Sequence, residues 1–106
     1  MNDHAFMAAS AKLLQTLETA LENCGADLET DTPSEGILEI NFPEGGPIIV
    51  NRHAVAKEIW VAARSGGFHF RCDEGVWRDS RGAETLSECL SRLVQAQTGK
   101  AVVLAF

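Results

Sequence analysis

The chain has 106 residues, with fifteen carboxylates against nine Lys and Arg and a net charge of −6 with His neutral. That balance speaks against nucleic-acid binding, which works through basic surfaces, and no apolar run approaches the roughly 20 residues of a membrane span. The charge is also segregated: Met1–Asn51 holds nine acids and one base (−8), and Arg52–Phe106 holds six acids and eight bases (+2).

The opening segment reads as a helix from Asp3 to Cys24. Phe6, Leu13, Leu17, Leu21 and Cys24 share one stripe, Asn2 or Asp3 caps the start, and Gly25 supplies the stop. Glu18 and Glu22 stand one turn apart. Like charges at that spacing cost a few tenths of a kcal/mol, and an anion in the last turn opposes the helix dipole. Fold stability does not explain the pair.

The middle reads as an antiparallel meander. A strand over Asp27–Asp31 puts three acids on one side, and Pro33–Gly36 turns the chain. Strands follow around Leu38–Phe42, Ile48–Asn51, Lys57–Arg64, Phe68–Cys72 and Val76–Arg78. A Ser65-Gly66 turn would set Trp60 opposite Arg71 and Ala62 opposite His69. Thr85-Leu86-Ser87-Glu88 is a capping-box pattern that opens a second helix, and Gly99 ends it. Val102–Leu104 fits either a last short strand or an extended, packed tail.

This order gives an α+β fold over residues 1–106 as one domain. It is a two-layer α–β sandwich, with two helices on one face of an antiparallel sheet of about five to seven strands. Cys24, Cys72 and Cys89 are odd in number, widely spaced and without a C-x-x-C pair, as expected of reduced cytoplasmic thiols. The N-terminus lacks the basic and apolar stretches of a signal peptide.

Two groups of residues point to chemistry. Asp3, Glu18, Glu22, Asp27, Glu29 and Asp31, with His4 nearby, are expected to form one exposed acidic ridge. Repelling anions on one surface attract cations or basic partners. Hard oxygen donors suit Fe²⁺, Mn²⁺, Ca²⁺ or Mg²⁺, and no EF-hand or zinc spacing is present, so any site would be weak and exposed. The second group centres on Trp60. Alternation sends Ile59, Val61 and Ala63 inward and leaves Trp60 on the polar face with Glu58, Ala62 and Arg64; His69 and Arg71 of the next strand point the same way. A surface Trp beside Arg is a familiar hot-spot composition. Trp77 reads as structural, Cys24 and Cys89 as buried packing residues, and His53 and His69 as ordinary surface imidazoles. No catalytic constellation emerges.

Asn51-Arg52, Ile59-Trp60-Val61-Ala62 and Gly66-Gly67-Phe68-His69-Phe70 resemble the signature of the frataxins, nearest the bacterial CyaY branch. The resemblance spans the chain, from the acidic first helix through Trp77 to Glu84-Thr85-Leu86. One departure stands out. Frataxins commonly carry Gln-x-Pro-x-x-Gln before the tryptophan, and those places here hold His53, Val55 and Glu58. The resemblance implies a non-enzymatic, iron-binding adaptor of iron–sulfur cluster assembly in the cytoplasm. It would bind Fe²⁺ or Fe³⁺ weakly on the ridge, with other divalent cations able to substitute. It would contact the cysteine desulfurase, through Glu18 and Glu22 among others, and the scaffold protein, through the surface of Trp60, Arg64, His69 and Arg71. It would be a monomer, with oligomers in iron. The alternative is a ferroxidase or iron-storage protein using the same carboxylates.

Overall fold

The structure is a computed structural model that describes residues 1–106. Helix α1 (Asp3–Glu22) begins where Asn2 caps it, its side chain accepting the Ala5 N–H at 2.7 Å. The buried stripe is Phe6, Ser10, Leu13, Leu17 and Leu21. Ser10 is a polar residue in that stripe, and Arg52 explains it. The guanidinium of Arg52 reaches from the sheet under the helix, and its Nε donates to Ser10 Oγ at 2.8 Å. The helix stops two residues short of Cys24. Asn23 is the terminal cap, with its N–H donating to Thr19 O, and Gly25 (φ +77°) redirects the chain after it.

Six strands follow: β1 (Glu29–Ser34), β2 (Ile37–Asn41), β3 (Ile48–His53), β4 (Glu58–Ala63), β5 (Gly66–Asp73) and β6 (Val76–Asp79). They form one antiparallel sheet in sequential order. The first strand lies two residues later than its alternation suggests and absorbs Pro33. An edge strand tolerates a proline, because one side of its ladder is empty, and the pairing slips between Asp31 and Ser34. Asp27 therefore lies in the loop before β1.

The β4–β5 turn is Arg64-Ser65 rather than Ser65-Gly66, since Ala63 pairs with Gly66. Gly66, at φ +145°, takes the backbone conformation that opens β5. Moving the loop by one residue shifts the pairing by two, so every side chain keeps its face. The partners change: Trp60 lies opposite His69 and Ala62 opposite Gly67.

Helix α2 (Leu86–Thr98) carries the expected capping box between Thr85 and Glu88 and ends at Gly99 in the left-handed conformation. Both helices cover the same sheet face. Between the layers lie Phe6, Leu17, Ile40, Val50, Ile59, Phe70 and Leu90, with Trp77 standing edge-on to Phe6 at 6.1 Å. Trp77 is thus a core residue. The terminal segment is the extended tail rather than a strand: Val102 and Leu104 are buried, Leu104 N–H donates to Ser91 Oγ at 2.9 Å, and Ser87 Oγ donates to the Leu104 carbonyl.

Cys89 is buried on α2, and burial pushes its thiol up to about 12. Cys24 is only half-buried, beyond the helix end rather than on its apolar face, and Cys72 is half-buried too. In the native protein a thiol-exchange reagent at pH 8 should therefore modify Cys24 and Cys72 and spare Cys89 until the chain unfolds. Rapid labelling of all three would contradict this packing.

Candidate functional site

The sheet face away from the helices is open, and the acids gather along one of its edges. Glu18 and Glu22 project from α1. Glu22 and Glu29 line one shallow cleft with Gly25, Ala26 and Leu28; Asp27 and Glu29 line the next with Asn41 and Phe42. Helix end, loop and edge strand are thus continuous, and Glu22, Asp27, Glu29 and Asp31 are exposed, with Glu18 half-buried. Asp31 faces Glu39 directly across the β1–β2 ladder, a repulsive arrangement. None of these six carboxylates belongs to an ion pair; the five pairs in the structure use Glu35, Asp3, Glu58 (twice) and Glu84.

Asp3 and His4 stand apart from this group. They open α1, about 28 Å from Glu22 at 1.5 Å per residue, and Asp3 is paired with Lys57 at 3.0 Å. No three His, Cys, Asp or Glu side chains come close enough to hold an ion between them.

The middle of the open face is an aromatic stack. Trp60 is half-buried between two imidazoles: His53 at 3.8 Å between ring centroids and His69 at 4.4 Å, with planes within 12° and 8° of parallel. The two histidines are therefore packing partners of the tryptophan rather than ordinary surface groups. Alternation already sends His69 to the Trp60 side. The His53 contact depends on the β3–β4 register, in which His53 faces Glu58.

Beneath the stack, Glu58 is 6% exposed. Trp60 Nε1–H donates to its Oε1 at 2.9 Å, Arg71 Nε–H donates to its Oε2 at 2.9 Å, and His69 Nδ1 lies 3.8 Å from Oε1. Arg64 does not join this cluster. It sits in the β4–β5 turn beside the β2–β3 loop, where a Cβ added at Gly45 would meet its Nη1 at 3.4 Å.

Burial alone would raise the Glu58 carboxyl, but the donors Trp60 and Arg71 and the charges of Arg71 and His69 outweigh it and hold it below the usual 4.5. Glu88 is lowered as well, chiefly by the Thr85 N–H of the capping box. A carboxyl lowered by folding stabilises the native state above its unfolded pKa, and that contribution is lost as pH falls through the folded value. The thermal midpoint should therefore decline below pH 4.5 in the wild type, and less steeply in Glu58→Gln. Superimposable acid profiles would show that Glu58 is not coupled to folding.

Residues 1–100 match the family model described as a frataxin-like domain. The chain is 51% identical to the iron-sulfur cluster assembly protein CyaY of Dechloromonas aromatica, covering 98% of this chain and 99% of that one. It is 38% identical to the protein of the same name from Cupriavidus metallidurans, over 98% and 96%. Among solved structures it resembles a frataxin from Psychromonas ingrahamii (TM-score 0.91, 27% identity, both chains covered fully). It also resembles a trimeric yeast frataxin complexed with ferrous iron (TM-score 0.65, 26% identity, 84% of this chain and 80% of that one). With two helices backing a six-stranded antiparallel sheet, and a family match that covers nearly all its length, this chain belongs to the frataxin-like family.

Proposed function

We propose that the protein is a regulatory adaptor of iron–sulfur cluster assembly in the cytoplasm. It docks on the cysteine desulfurase through the ridge of Glu18, Glu22, Asp27, Glu29 and Asp31, and on the scaffold protein through the open face around Trp60. The observation that carries this reading is the run of carboxylates that form no ion pair, with Asp31 set against Glu39; the one ammonium among them, Lys100, donates to the Gly25 carbonyl at 2.8 Å. A fold that only needed solubility gains nothing from that crowding, whereas a basic partner surface relieves it.

The same oxygens suit a hydrated Fe²⁺ or Fe³⁺ ion. Glu22 with Glu29, and Asp27 with Glu29, would be the holding pairs, and water would complete the shell. Such a site favours weak, exchangeable binding in which iron adjusts docking, and other divalent cations would compete for it. The dispersed, open carboxylates speak for an adaptor rather than a ferroxidase, which gathers its ligands around the metal with a fixed outer shell. The relatives' role in iron–sulfur cluster assembly supports the pathway, and the ferrous complex of the yeast protein supports the metal.

The test is a cluster-assembly assay with purified desulfurase and scaffold, run with and without the protein over a series of Fe²⁺ concentrations. An iron-dependent change in the rate of cluster formation is expected. No change at any iron level, or saturable oxygen-dependent Fe²⁺ turnover by the isolated chain, would overturn the adaptor reading.

A further inference from the structure

The neighbours of Glu58 on the open face are all at least partly exposed, yet Glu58 itself is almost completely withdrawn from water. A carboxylate stays charged in such a place only where other groups replace its hydration. Here the replacements are the Trp60 indole, the Arg71 guanidinium and the nearby His69 ring. The core lies on the other side of the sheet and holds the strands together; these bonds add to stability from the open side. What the bonds fix is the attitude of two outward-facing side chains.

We infer that Glu58 is the positioning residue of the open face, and that it aims Arg71 as a receptor for an Asp or Glu carboxylate on the partner. The inference rests on the docking reading above. Glu58 occupies the Nε edge of the guanidinium, which leaves the two Nη groups free, and the Arg71 side chain remains 66% exposed. A guanidinium fixed in plane with its end open is suited to a two-point grip on a carboxylate. Arg78 lies directly opposite Arg71 across the β5–β6 ladder. Like charges opposed in this way repel, and Glu58 offsets only part of that repulsion. An incoming anion relieves the rest, so the chemistry favours an acidic group on the scaffold surface that covers the edge of the His53–Trp60–His69 stack.

A carboxylate does this work where an amide cannot. In Glu58→Gln the amide oxygen still accepts from the packed indole, but its NH₂ group then confronts the Arg71 donor, and the exposed guanidinium gives way. The variant thus separates the two functions of Glu58.

The experiment measures affinity for the desulfurase–scaffold assembly in wild type, Glu58→Gln, Arg71→Ala and the double variant. Trp60 is followed by near-ultraviolet circular dichroism, as the difference from Trp60→Phe, and thermal melts establish that each variant is folded. Each single substitution should weaken binding about tenfold, the size of one lost charge-assisted hydrogen bond. The double variant should bind no more weakly than Arg71→Ala, because the two residues act as one unit. The Trp60 band should persist in Glu58→Gln and vanish in Glu58→Ala. Additive losses, full affinity in Glu58→Gln, or an unchanged Trp60 band in Glu58→Ala would overturn the inference. A wild-type chain that does not bind the assembly would overturn the docking reading itself.

Discussion

Replacing Glu18 and Glu22 together by lysine is expected to weaken binding to the cysteine desulfurase by about a hundredfold or more. The change moves the local charge by four units at the helical end of the ridge, and close interfacial charge pairs are worth about 1.5 kcal/mol or more each. The fold should not suffer. The native pair repels itself at one-turn spacing, and a lysine at position 22 suits the C-terminal end of the helix dipole, so the thermal midpoint stays or rises slightly. Surface plasmon resonance alongside thermal melts measures both. Unchanged affinity with an intact fold would remove this part of α1 from the docking surface.

Trp60→Ala is expected to weaken attachment to the scaffold side and also to destabilise the chain by about 2 kcal/mol. Two ring stacks disappear, each worth about 0.5–1.5 kcal/mol, and the buried Glu58 carboxylate loses a donor. A tryptophan lying loose on the surface would cost almost nothing, and one in the core about 3–5 kcal/mol. Chemical denaturation therefore distinguishes the stacked arrangement from both extremes. In Trp60→Phe, one stacking partner is retained without the indole N–H, so its loss should be smaller.

Local pattern carried most of the fold. The capping box at Thr85–Glu88, the stripe of α1 and the alternation of β4 and β5 each place their side chains correctly, because periodicity and capping are properties of neighbouring residues. The departures arise where a distant partner decides. Pro33 sits in a strand because β1 has only one neighbour. The turn at Arg64-Ser65 follows from the pairing of β4 with β5 as a whole.

The site divides in the same way. Acids adjacent in sequence, from Glu18 to Asp31, do gather at one edge. Asp3 and His4, near them only in composition, are separated from them by the length of a helix and by the Lys57 pair. The surface tryptophan was legible from alternation alone. The histidine sandwich and the buried Glu58 were not, because His53, Trp60 and His69 belong to three strands and meet only through two registers. Arg52 under α1 illustrates the same limit: its position beneath Ser10 is a contact over 42 residues of chain.

The acidic edge carries more anions than its own cations pair with, and a basic partner covers the excess. Mapping amide chemical shifts of the labelled protein while unlabelled cysteine desulfurase is added tests that claim most directly. Perturbations should concentrate at Glu18–Asp31 and Glu39, and should fade as salt screens the interaction. Perturbations confined to the exposed side of α2, or unaffected by salt, would contradict it.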